Sequence, residues 1–198
     1  SGGIDYLWSN NVITPSIDVC PTITTTYTVT VTDVNGCSSS DNVVVTVSAL
    51  PVVTFDSIAD VCADAPSFAL TGGNPTGGVY SGTGVSGGNF DPSVAGVGTH
   101  TLTYTYTDIL GCTNFATQTV TVNPLPMVYF TPIADVCIDD AQFMLTQGVP
   151  SVPAGVYSGP GVIAGTDFSP ILAGVGTHTL TYTYTDLNGC INNATQTI

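Results

Sequence analysis

The chain has 198 residues, no Lys or Arg, 14 acidic side chains and a formal net charge of −14. Every acid is Asp, and charged residues make up 7% of the chain, against roughly 25% in ordinary soluble domains. With no basic side chain to neutralise a phosphate, the composition excludes nucleic-acid binding and attachment to an anionic membrane.

The best helix formers other than Ala and Leu are missing or rare, and Thr, Val, Tyr, Gly, Pro and Asn take their place. This is strand and turn chemistry and predicts an all-β fold. Mean hydropathy is positive, at +0.38, so the net charge is what keeps the chain in solution. No run of about 18 apolar residues is present to cross a membrane as a helix. The lack of Lys rules out a Lys–Asn isopeptide cross-link and leaves trypsin nowhere to cut.

Residues 1–49 read as the second half of a divergent β-sandwich whose first strands are expected upstream of Ser1. Tyr6-Leu7-Trp8 predicts a short strand with Trp8 in the core, and Ser16-Ile17-Asp18-Val19 predicts another. Residues 25–33 alternate Thr with Tyr and Val, the period-2 signature of a half-buried strand. Asn35-Gly36 predicts a two-residue type I′ hairpin turn, with residues 42–47 returning as the last strand.

Residues 50–124 and 125–198 are two copies of one repeat, the second expected to stop partway through its last strand. Residues 95–108 recur without change at 173–186, and in both copies a Gly-Cys pair follows, Gly111-Cys112 and Gly189-Cys190. Leu102, Tyr104 and Tyr106 point one way and Thr101, Thr103, Thr105 and Thr107 the other, with the Thr row as the solvent face. The offset between copies grows from 75 to 78, which places the insertions in loops. Six or seven short strands per repeat, punctuated by Gly, Pro, Asn and Asp, predict an immunoglobulin-like sandwich. Short Pro-containing linkers at 48–51 and 123–126 predict a semi-rigid string of domains.

Six Cys without a CxxC pair or a Cys/His cluster fit disulfides in an oxidising compartment. Each full repeat has one early Cys (Cys62, Cys137) and one late Cys (Cys112, Cys190), and the simplest pairing is intradomain, Cys62–Cys112 and Cys137–Cys190. If the strand after the early Cys runs parallel to the strand before the late Cys, the two thiols fall at opposite ends of the domain, out of reach. The alternative joins the early Cys of one domain to the late Cys of the next. Cys20 and Cys37 flank an extended strand, and their pairing stays open.

Catalysis has little to work with. His100 and His178 sit in a repeated structural motif with no paired nucleophile, which predicts a structural role and no enzyme. Asp56, Asp60 and Asp64, and Asp135, Asp139 and Asp140, are clustered enough to test as Ca2+ ligands. Asp is also the ordinary turn residue, and solvated turns without a metal or other cofactor are the simpler reading. The Gly-rich loops 71–77 and 81–89, with Tyr80 and Tyr157 as stacking platforms if exposed, define an alternative function, a glycan- or surface-binding module.

The early Cys, the segments 78–85 and 155–162, Phe90-Asp91-Pro92 and Phe168-Ser169-Pro170, and the runs 98–112 and 176–190 resemble the PKD-like and immunoglobulin-like repeats of giant Bacteroidota surface proteins. Residues 6–10 and 24–37 are similar to the PKD-like variant. The resemblance implies a stalk segment of a long cell-surface adhesin exported by type IX secretion, as in gliding motility. It would project a distal region towards an extracellular surface or polysaccharide, with neighbouring repeats as its direct partners. Asp56-Ser57-Ile58 resembles the O-glycosylation motif of the same bacteria, with Ser57 as the acceptor, whereas the sequon Asn193-Ala194-Thr195 is not expected to be used from such a source.

Overall fold

The computed structural model describes residues 4–198. The first three residues of the 1–49 segment lie outside the described residues. The chain divides into two compact units, Ser1–Val52 with Thr107–Asn114, and Val53–Tyr106 with Phe115–Ile198.

In the first unit, β1 (Asp5–Trp8), β2 (Thr25–Thr32) and β3 (Ser38–Val45) form an antiparallel sheet in that order. The alternating Thr-x-Thr run makes β2 the central strand, paired from Thr25↔Val45 to Thr32↔Ser38. Three expectations change. Residues 16–19 are irregular rather than a strand. The hairpin turn holds three residues, 34–36, because the Asp33 N–H bonds the Cys37 carbonyl at 2.9 Å and only Gly36, at φ 78°, takes the left-handed conformation. That is a three-residue turn with a terminal Gly rather than type I′. Trp8 is half-buried rather than central to a core, and its indole N–H donates to the Thr14 carbonyl at 2.9 Å.

The first repeat of the second unit contains β4 (Thr54–Phe55), β5 (Val61–Cys62), β6 (Phe68–Ala69), β7 (Gly73–Asn74), β8 (Val79–Ser81), β9 (Val85–Ser86) and β10 (Asn89–Phe90). The short helix α1 (Pro92–Ala95), β11 (Gly98–Thr107) and β12 (Thr113–Asn123) complete it. One sheet runs β5-β12-β11-β8, a second β6-β10-β9, and β4 pairs with β7. The second repeat has β13 (Tyr129–Phe130), β14 (Phe143–Met144), β15 (Gly148–Val149), β16 (Val156–Ser158), β17 (Val162–Ile163), β18 (Asp167–Phe168), α2 (Pro170–Ala173), β19 (Thr179–Thr185) and β20 (Ile191–Thr197). Its sheets are β16-β19-β20, β14-β18-β17 and β13-β15. This is an all-β sandwich in each repeat. The residues inserted in the second copy fall in turns, before Gly155 and around Ala164.

Period-2 alternation sets the cores. Leu102 and Tyr104 on β11 are buried against Phe55, Leu70, Phe90, Val120 and Val122. Leu180, Tyr182 and Tyr184 on β19 pack with Phe130, Leu145, Tyr157, Phe168 and Ile198. Each core is pinned by a tyrosine that ends on backbone. The Tyr182 hydroxyl accepts from the Gly155 N–H at 2.9 Å and donates to the Pro150 carbonyl at 2.5 Å. Tyr104 does the same with Gly78 and Pro75. Glycine is required where the chain crosses these rings. A Cβ on Gly148 would stand 2.5 Å from the Tyr182 ring, and one on Gly73 2.6 Å from that of Tyr104.

Candidate functional site at the junction between repeats

The run Asp-x-x-Gly-Cys closes the longest hairpin of each domain. Asp186 Oδ1 accepts from the Asn188 N–H at 2.9 Å and the Cys190 N–H at 2.8 Å, while Gly189, at φ 83°, donates its N–H to the Asp186 carbonyl. Asp108 holds Leu110 and Cys112 in the same way, and Asp33 holds Asn35 and Cys37. The carboxylate therefore fixes the direction in which the late Cys leaves the turn. Two residues on, an Asn ties the hairpin to the linker: Asn192 Nδ2 donates to the Pro126 carbonyl and Asn114 Nδ2 to the Pro51 carbonyl, each at 2.9 Å. Sequence reasoning missed this latch, although its signal, Cys-x-Asn after the Gly, stands in both copies.

The early Cys is placed at the opposite end. β5 runs parallel to β12, with Val61 opposite Val122 and Cys62 opposite Asn123, so Cys62 lies where β12 leaves for the next linker. Cys112 precedes Thr113, the first residue of β12. The length of that strand, roughly 35 Å at strand rise, separates the two levels. A disulfide needs Cα atoms within about 7 Å. In the second repeat Cys137 shares a cleft of about 480 Å3 with Asp135, His178 and Ile198, at the end of β20 away from Cys190.

The intradomain pairs Cys62–Cys112 and Cys137–Cys190 are therefore corrected. The structure joins Cys62 to Cys190, with Cα atoms 5.6 Å apart and a sequence separation of 128. The early Cys of one repeat is bonded to the late Cys of the next, across the 123–126 linker. Cys190 is fully buried in this junction, while Cys20, Cys37, Cys112 and Cys137 are free thiols.

The remaining candidates have other employment. His178 Nε2–H donates to the Gly174 carbonyl at 2.9 Å, and His100 to that of Gly96 at 2.8 Å, each bracing the loop before the long strand. Asp60 accepts from the Thr121 N–H, and Asp140 from the Cys137 N–H. Asp56, Asp64, Asp135 and Asp139 stand exposed, and among the described residues no three His, Cys, Asp or Glu side chains converge as metal ligands. Asp91 caps α1 by accepting from Ser93 and Val94. The Ser93 hydroxyl, 2.6 Å away, is the largest influence holding its carboxyl below the usual value.

Tyr157 is turned inward rather than towards a ligand. It is 7% exposed, its hydroxyl accepts from the Gly148 N–H at 2.7 Å, and burial pushes its pKa up. Tyr80 is half-buried and packs on Phe55 and Tyr104 with ring centroids 5.3 and 4.7 Å apart. The buried Tyr157 ring is therefore no platform for a sugar. Ser57 is exposed.

No protein-family model matches the chain, and no curated protein matches it. Similar solved structures include one described as a Ca2+-stabilized adhesin that helps an Antarctic bacterium reach out and bind ice, at 15% identity and TM-score 0.43. Another is the extracellular cadherin domains 1–4 of protocadherin gamma B7, at 12% identity and TM-score 0.28. All of this chain is covered in both, and it spans 64% and 66% of their respective lengths.

Proposed function

We propose that the chain is a load-bearing segment of a longer extracellular adhesive protein, holding a distal binding region away from the cell and having no catalytic role. The observation that carries this reading is the Cys62–Cys190 bond. Tension entering at Cys62 passes through sulfur to Cys190 and bypasses most of both repeats and the linker between them. Disulfides persist in oxidising, extracellular settings, which fits a cell-surface location. The resemblance of the repeats extends the proposal to type IX export and to a filament used in gliding, with Ser57 as an O-glycosylated position.

Immunogold electron microscopy of the source cells, with an antibody to this chain, tests the reading. Label along filaments that reach well beyond the outer membrane is the expected result. Label confined to the medium, on a short soluble protein, would overturn it.

A further inference from the structure

Cys112 occupies in the first full repeat the place that Cys190 occupies in the second. Both follow an Asp-capped turn, and both stand two residues before an Asn that grips the preceding linker. Cys190 is bonded to the preceding domain at that domain's linker end, whereas Cys112 is a thiol. The segment preceding Cys112's repeat has a cysteine in the matching place. Thr25, at the start of β2, pairs with Val45 at the end of β3. Thr24 Oγ1 both accepts from the Val47 N–H at 3.0 Å and donates to the Val47 carbonyl at 3.4 Å. This is the linker end of that segment, and Cys20 lies four residues from Thr24, within roughly 14 Å of chain. Cys37 lies at the other end of the β2–β3 ladder, roughly 26 Å away at strand rise. The hairpin tip Thr107–Asn114 belongs to the same compact unit as Ser1–Val52, so both thiols are in one body.

We infer that Cys20 and Cys112 form a second disulfide across a domain junction, equivalent to Cys62–Cys190. The chain then follows one rule: a Cys at the linker end of each domain bonds the hairpin Cys of the next. Cys20 takes the place of the early Cys in that segment, and the rule leaves Cys37 and Cys137 as thiols in this chain. In the reaction the two thiols give up two protons and two electrons to a small disulfide such as oxidised glutathione, which leaves as two thiols. The inference stands apart from the load-bearing proposal, since the pairing holds or fails whatever the chain does on a cell.

The Asp residues make the test direct. A protease that cuts before Asp places all six cysteines on separate fragments: 18–32, 33–40, 60–63, 108–134, 135–138 and 186–198. The whole chain is folded in a glutathione redox buffer, its remaining thiols are alkylated in acid, and the unreduced digest is read by mass spectrometry. The expected result is fragment 18–32 joined to 108–134 alongside 60–63 joined to 186–198, with Cys37 and Cys137 alkylated. In Cys112→Ser, Cys20 becomes alkylated while 60–63 stays joined to 186–198. Fragment 18–32 joined to 33–40 would overturn the inference. So would 108–134 joined to 60–63, or Cys20 and Cys112 both alkylated while the other bond has formed.

Discussion

Tyr182 shows how single side chains hold each repeat. Its ring is buried, and its hydroxyl satisfies one peptide N–H and one carbonyl from a loop about 30 residues away in sequence. Tyr182→Phe strands the Gly155 N–H and the Pro150 carbonyl and should cost about 1–3 kcal/mol, read as a lower urea midpoint. Gly148→Ala should cost at least as much, because its new methyl lands on the Tyr182 ring. Two titrations belong at this scale. Asp91 has a lowered folded pKa, so its contribution is present above the usual carboxylate range and is lost as pH falls through the folded value. Tyr157 has a raised folded pKa, so its contribution is present below its ordinary value of 10.0 and is lost as pH rises through the folded value. Thermal melts should therefore fall at both extremes. Asp91→Asn should flatten the acid limb and Tyr157→Phe the alkaline one.

The turn that ends each long strand is the element that decides the connectivity. Removing the Asp186 carboxylate frees the exposed Asn188 N–H and the part-buried Cys190 N–H, so Asp186→Ala should cost about 1–3 kcal/mol. The same variant should slow formation of the Cys62–Cys190 bond in a glutathione buffer, measured by the rate at which the free thiols decline. Much of this element was legible in the sequence. Strict alternation through Leu102 and Tyr104 gave the buried face, the Gly-Cys pairs gave the turns, and the identical runs gave the repeat. Other features were not legible, for physical reasons. The Asn35-Gly36 pair reads as a two-residue turn until Asp33 is seen capping a three-residue one. Tyr157 looks like a ligand platform until its hydroxyl is seen bonded to Gly148. The disulfide partner depends on whether β5 lies parallel or antiparallel to β12. Strand direction is a non-local property that spacing does not encode, so both pairings stayed open.

At the scale of the whole molecule, the bond joins two sandwiches rather than closing one. On the chain-entropy estimate, a loop of this size stabilises the folded state by about 5 kcal/mol at most. Cys62→Ser should remove up to that amount and should also uncouple the two repeats, so that one unfolding transition becomes two in calorimetry. The mechanical consequence is larger than the thermodynamic one. With Cys62 and Cys190 joined, the chain between them, a sequence separation of 128, cannot be drawn out by a pull on the termini. That segment is worth roughly 440 Å of extended chain. A Cys20–Cys112 bond leaves that figure unchanged, because the path through residues 20–62 to Cys62 is still the shortest. The measurement is single-molecule force extension of the whole chain held at its ends, before and after reduction. Reduction should lengthen the fully extended chain by roughly 440 Å in total. Two separate gains totalling roughly 350 Å, the length that Cys62–Cys112 and Cys137–Cys190 would lock, would contradict the inter-repeat bond, and so would no gain at all.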